Sequence, residues 1–396
     1  MLAGHGWLAM FALVTAPVAV AQQPEKPPPL PTGWEFVGLP ALNFSTDEGF
    51  GYGALLEAYN YGSGAESYRF TIQPTIFLTT KGRRDFTVFF DAPALLGNGW
   101  RLDAFAGREQ ELATPYYGRG NFAVRDTALT AEPNPYFYTY GRTRVRLLAN
   151  VQRPIASTSA RYLLGAGYAH ARTDDTPFDS GTTFMRQELA GAAAPGGTLA
   201  YLRAGIVFDT RDREIGPRTG WWNEVMVQRV DKVLGASHSY TRVSAAARRY
   251  VPVTSRLTGA FRLVAQQASG DVPLYDLATV QTSFKQEEGL GGSKMLRGIP
   301  KNRVVGKGMV VLNNELRWRF ADFSVMKKPA YLVLNGFLDT GRVWEESIRA
   351  SELTSDLWTG YGTGLRLGLG PSFVVAFDLG RSSETTQIYI GLGYAF

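Results

Sequence analysis

The stretch "GRTRVRLLANVQ", Gly141 to Gln152, alternates with a period of two residues. Thr143, Val145, Leu147, Ala149 and Val151 share one face of an extended chain, and Arg142, Arg144, Arg146, Asn150 and Gln152 share the other. An apolar face backed by a row of arginines suits a strand with hydrocarbon on one side and water on the other. The pattern recurs in "YLVLNGFLDTGRVW", Tyr331 to Trp344. There Leu332, Leu334, Gly336 and Leu338 oppose Tyr331, Val333, Asn335, Phe337 and Asp339. In "TQIYIGLGYAF", at the end of the chain, Ile388, Ile390, Leu392, Tyr394 and Phe396 fall on one side. The other side carries Tyr389 and small residues.

A soluble sandwich would alternate as well, so three further features decide. Many of the strands run to ten residues or more, long enough to cross a bilayer at a tilt. Aromatics recur at strand ends, among them Trp34, Tyr59, Tyr61, Trp100, Trp221, Trp222, Trp318, Phe320, Trp344 and Trp358, as an interfacial girdle would place them. The chain closes on Phe396 within an amphipathic strand, and Tyr394 and Phe396 read as a C-terminal assembly signal.

Counting along the chain places strands near 34–44, 49–61, 66–80, 83–92, 99–110, 137–152, 159–171, 197–210, 220–232, 237–252, 255–269, 306–321, 329–344, 358–369, 371–382 and 385–396. These are sixteen, and an even number lets a barrel close with both ends on one side and no edge left open in lipid. The connections agree with this count. Short ones follow even strands ("GSGAE", "RPIAST", "VPVTSR", "GPS"), and the longest follow the fifth, seventh and eleventh, at 111–136, 172–196 and 270–305. The expected fold is therefore all-β, a 16-stranded antiparallel transmembrane β-barrel over residues 34–396.

Residues 1–21 hold an apolar run from Trp7 ending in Ala19-Val20-Ala21, a small-x-small pattern that reads as a secretory signal peptide. Residues 22–33, with "PEKPPPLP", read as a Pro-rich periplasmic tether. Without cysteine, disulfides, thiolate metal sites and Cys nucleophiles are excluded. The formal charge of +6 is spread singly among carboxylates, with no basic block, so no nucleic-acid partner is expected.

Three segments then take on meaning together: "VFDTRDREIGPRTGWW" (Val207 to Trp222), "LGGSKMLRGIPKNR" (Leu290 to Arg303) with the "NNELRWRF" that follows, and "GFLDTGRVW" (Gly336 to Trp344). Their order resembles that in the BamA/TamA family of outer-membrane protein assembly barrels, across essentially the whole mature chain. The resemblance implies sixteen strands and a loop after strand eleven that folds inward, bearing a Val/Ile-Arg-Gly-aromatic tip. Here "LRGI" stands after strand eleven, with Ile299 in the aromatic position. Arg297 and Gly298 are the expected pin of that loop, and Glu315 and Asp339 on the neighbouring strands its acidic partners. An arginine fork suits such carboxylates, and Gly298 allows a tight backbone turn. Asp209, Arg211, Asp212, Pro217 and Gly220 match the family's periplasmic turn, where asparagine-like side-chain turns and Pro/Gly set the course. Arg366 and Asp378 face inward on adjacent strands and are expected to pair as structure.

Family members that assemble proteins carry periplasmic POTRA domains before the barrel. Only about a dozen residues lie between Ala21 and the first expected strand, too few for one. The expectation is a barrel alone, with a separate periplasmic protein as partner in place of those domains.

The resemblance implies insertion or passage of polypeptides at the bacterial outer membrane, with lipid and nascent or translocated polypeptides as partners. A weak seam between the first and last strands would serve this, thinned by Gly51, Gly53, Gly391 and Gly393. A passive pore or structural barrel would show the same lumen charges. No enzyme is expected. The mature chain holds only His170 and His238, and a His170 grouping with Asp174 or Asp175 is better explained as a solvated loop. Neither metal-ligand spacing nor a phosphate-cradling Gly loop is present, so no metal or cofactor is expected.

Overall fold

The computed structural model describes residues 32–396 apart from 47, 63–67, 94–96, 98, 132–133, 180–181, 284–286, 326–327 and 371–372. The expected signal peptide and the tether as far as residue 31 lie outside the described residues. Sixteen strands form the wall: β1 (Gly33–Ser45), β2 (Gly49–Gly62), β3 (Phe70–Thr79), β4 (Arg83–Ala92), β5 (Arg101–Pro115), β6 (Thr139–Pro154), β7 (Ala160–Asp174) and β8 (Gly197–Asp209). They continue as β9 (Gly220–Val230), β10 (Tyr240–Pro252), β11 (Leu257–Gly270), β12 (Gly308–Val325), β13 (Lys328–Trp344), β14 (Trp358–Leu369), β15 (Phe373–Arg381) and β16 (Thr386–Leu392). Each pairs antiparallel with its sequence neighbours, and β1 also pairs with β16, which closes the barrel. Among the described residues no helix is long and apolar enough to cross a membrane.

The two-residue period sorts side chains as the alternation requires. On β9, Val225 and Val227 point outward while Glu224, Met226 and Gln228 are buried inside. On β13, Leu334 and Leu338 face out while Asn335, Phe337 and Asp339 are buried. The outward band continues through Leu202, Leu263, Leu316, Leu365 and Phe377, an apolar surface that lipid covers and water would not.

Three expectations need correction. β16 ends at Leu392 and does not run on to Phe396. Gly393 takes φ +77 and donates its N–H to Val374 O at 2.8 Å, which breaks the alternation. Tyr394 and Phe396 therefore turn into the barrel and not toward lipid. The Arg317 guanidinium lies 4.3 Å from the Tyr394 ring centre and 5.2 Å from that of Phe396, and Arg262 lies 4.9 Å from the latter. Cations over aromatic faces reward this turn.

The aromatic girdle is also only partial. Trp34, Trp221 and Trp318 are exposed on the outer face, whereas Trp222 sits inside beneath Arg211 and Arg248, and Trp358 beneath Arg303. Tyr59 and Tyr61 share the inward face of β2 with Glu57 and donate to Glu57 and Glu35. Finally, Gly51 and Gly53 pair with β1 and β3, away from the β1–β16 join. A Cβ on Gly51 would meet the Phe77 ring at 2.4 Å, so this glycine makes room for an aromatic on β3.

Leu338 stands in mid-wall beside Asn314 and Tyr361 on the outer face. Replacing it with arginine is expected to destabilise the barrel by about 2–4 kcal/mol, read as a lower urea midpoint of the protein folded in lipid vesicles.

Candidate functional site

Residues 271–283 and 287–307, between β11 and β12, form one packed segment. A short helical turn (Leu274–Leu277) and a two-residue ribbon pairing Thr279 with Glu288 and Val280 with Glu287 give it local structure. Val280, Leu290, Met295, Leu296, Ile299 and Val304 are fully buried and pack with Ala246, Val264, Val311 and Val343 from β10 to β13. The small apolar core of the segment is thus shared with inward residues of the wall, which supplies a driving force for docking that needs no charge.

The wall's polar side chains hold the segment's backbone. Arg242 of β10 donates to Asp276 O at 2.7 Å, and Arg203 of β8 to Thr282 O at 3.0 Å. Glu224 of β9 accepts from Ser283 N at 2.8 Å. Asn313 of β12 donates to Met295 O at 2.7 Å, and Arg262 of β11 to Lys294 O. Backbone groups of a buried segment need such partners, and side chains spaced around the ring provide them.

At the tip, Arg297 is 1% exposed and Glu315 and Asp339 are fully buried. Arg297 Nε donates to Asp339 Oδ2 at 2.8 Å and Nη2 to Asp339 Oδ1 at 3.0 Å, a two-pronged pairing. Its Nη1 donates to Glu315 Oε1 at 2.5 Å, and its backbone N–H donates to Asp339 Oδ2 at 3.1 Å. The guanidinium carbon lies 3.6 Å from the Phe337 ring centre, so two successive inward positions of β13 and the β12 position in register with the first converge on one side chain. Burial works against its charge, but Asp339 and then Glu315 outweigh that and hold its protonation above the usual range. Glu315 is shared, since Arg317 Nε donates to its other oxygen at 2.7 Å. Asp378 stands 3.9 Å from Arg297 Nη1 and takes its closer bond from Arg366 at 2.8 Å.

Gly298 has φ +87, and a Cβ there would meet the backbone of Arg381 at 2.7 Å. Its N–H donates to Tyr389 Oη at 3.1 Å and its carbonyl accepts from Thr385 Oγ1 at 2.9 Å. Two glycines that sequence reasoning passed over complete the cradle. A Cβ on Gly360 would meet Arg297 O at 1.8 Å, and one on Gly380 would meet Gly298 N at 2.6 Å. The tip lies backbone against backbone on β14 and β15, an approach only glycine permits. Nothing in the sequence separated these two from the many glycines of alternating strands. Phe337, by contrast, was readable as Asp339's neighbour on the inward face.

Beyond the tip, Lys301 Nζ reaches Glu48 at 2.7 Å and Glu111 at 3.1 Å, and Arg303 pairs with Glu384 at 2.7 Å. On the opposite rim, Asp209 takes two bonds from Arg211, at 2.9 and 2.7 Å. Asp212 Oδ1 accepts the N–H groups of Arg218 and Thr219. Gly220 has φ +101, with Thr210 O at 2.2 Å from where a Cβ would stand, and Pro217 lies in the same turn. These five residues share one turn, apart from the Arg297 group. His170 bonds Thr198 at 3.2 Å, and His238 bonds Asp271 at 2.8 Å. Among the described residues no His/Cys/Asp/Glu group is arranged to hold a metal.

Removing Arg297 would leave Asp339 buried without its counter-charge, while Glu315 keeps Arg317. The Arg297→Ala protein is expected to lose about 3–5 kcal/mol of unfolding free energy in lipid vesicles. Gly360→Ala leaves every charge in place but displaces the tip. Protease cleavage within 271–307 is expected to speed up in this variant, with the wall still folded.

A profile for the Omp85 superfamily domain matches residues 63–396. BamA from Haemophilus ducreyi lacking POTRA domains 1–3 is similar in structure, with a TM-score of 0.58 at 15% identity, covering 92% of this chain and 71% of that one. CdiB from Escherichia coli gives a TM-score of 0.57 at 14% identity, covering 94% of this chain and 64% of that one. At such identities the likeness is one of fold. No curated protein sequence matches the chain. The family match over most of the chain, with a closed sixteen-strand wall, places this protein in the Omp85 superfamily as a β-barrel of the bacterial outer membrane.

Proposed function

We propose that this barrel assists the insertion or passage of polypeptides at the outer membrane through the join between β1 and β16, with the 271–307 segment held inside by Arg297. The observation that carries this reading is the shortness of that join. β1 and β16 share two register pairs, Phe44 with Ile390 and Ser45 with Tyr389, whereas β12 and β13 pair from Gly308 to Val325 with a single register shift between Arg319 and Ala321. Backbone groups in hydrocarbon need partners, so the strand edge left along β1 is where an incoming strand would gain most by pairing.

The segment touches both sides of the join. Lys301 pairs with Glu48 in the β1–β2 turn, Arg303 with Glu384 in the β15–β16 turn, and Gly298 with Tyr389 on β16. Movement of the segment would thus be felt at both edges. Lipid and unfolded outer-membrane or translocated polypeptides are the partners this reading implies, with a separate periplasmic protein delivering them.

The chain has no cysteine, so one engineered pair can be closed selectively. Phe44→Cys with Ile390→Cys replaces register partners across the join, at a spacing that suits a disulfide. In liposomes the reduced protein is expected to speed folding of another outer-membrane barrel, and the oxidised protein to lose that acceleration. Equal acceleration in both states refutes passage through the join. Ion conductance with no acceleration in either state points to the passive-pore alternative.

A further inference from the structure

The rim that carries the β8–β9 turn (210–219) and the β10–β11 turn (253–256) holds a pocket that the readings above leave unused. Arg213 and Arg218 from the first turn, Arg256 from the second and Arg317 and Arg319 from β12 line it together with Tyr331, and among the described residues no carboxylate does. Nearby acids only partly offset these charges. Asp322 accepts from Arg319 at 2.5 Å and stands 4.0 Å from Arg256, and Asp212 accepts from Arg213 at 3.2 Å. Glu315, which takes Arg317 Nε, is already shared with Arg297. Arg218 Nη2 donates to the carbonyls of Thr254 and Ser255, neutral acceptors that do not offset its charge.

One donor points to a missing partner. Arg317 is 4% exposed, its Nε bonds Glu315 and its Nη2 bonds Phe396 O at 3.0 Å, but its buried Nη1 has no hydrogen-bond partner among the described residues. A buried guanidinium donor left unmet is costly, and guanidiniums converging from three separate elements match an acceptor with oxygens in several directions.

The geometry points to a phosphate-binding site at this rim, one that takes the phosphate group of a phospholipid headgroup or of a soluble phosphate compound. The rim lies beside the outward Trp318 and Phe323, where headgroups would stand, and Arg256 bonds Phe320 O on the wall itself. This assignment is independent of polypeptide passage through the β1–β16 join.

The full-length protein, folded in a maltoside detergent, is titrated calorimetrically with inorganic phosphate and, separately, with dihexanoyl phosphatidylglycerol. Saturable one-to-one binding of at least one is expected. A lipid affinity at least about tenfold above that of phosphate identifies the headgroup as the source, and comparable affinities identify soluble phosphate. The Arg256→Gln/Arg319→Gln protein is expected to bind at least about tenfold more weakly, as loss of charge-assisted bonds implies. Lys232→Gln, on the opposite rim, is expected to bind unchanged. Should the double variant fail to fold, Arg256→Gln alone, at a side chain 58% exposed, is expected to weaken binding about threefold. No saturable binding of either probe, unchanged affinity in the arginine variants, or an equal loss in Lys232→Gln overturns the assignment.

Discussion

Everything in this molecule follows from the requirement that no backbone N–H or C=O be left without a partner in hydrocarbon. A single sheet can meet it only by closing on itself, so the sixteen strands pair in sequence order and the first meets the last. Outward residues are then free to be greasy and inward residues free to be charged. The requirement is met least fully where β1 meets β16, which share two register pairs. The closing contact of the wall and its weakest contact are the same one.

The interior solves a different problem. It holds many arginines, several of them almost wholly buried. The 271–307 segment and the last residues of the chain supply much of what is needed: carbonyls for Arg203, Arg242 and Arg262, aromatic faces for Arg317, and a charge exchange centred on Arg297. Glu315, held between Arg297 and Arg317, ties the tip of the segment to the strand that also receives Phe396. Loss of one charge in such a group is felt by the others because the surroundings screen little.

Much of this was legible in the primary structure. Arg142, Arg144 and Arg146 opposite Val145 and Leu147 announced the wall, and the lengths of the connections agreed with the count of sixteen strands. Parity alone put Glu315, Phe337 and Asp339 on the inner face. Legibility stopped where contacts depend on residues far apart in the chain. Gly360 and Gly380 look like any strand glycine until the backbone of Arg297 and Gly298 is laid against them. Glu48 and Glu384 gave no sign of meeting Lys301 and Arg303, and Tyr394 continued an apolar alternation that Gly393 in fact ends.

The division has a physical cause. Alternation between lipid and water is a local property, set residue by residue by solvation, so the sequence by itself determined that this chain forms a closed wall and which side chains line it. Where the 271–307 segment docks, which carboxylates take Arg297 and how far β16 follows β1 depend on the curvature of the closed wall. Only the tertiary structure decided these, because packing and hydrogen bonding between distant residues act once closure has brought them within reach.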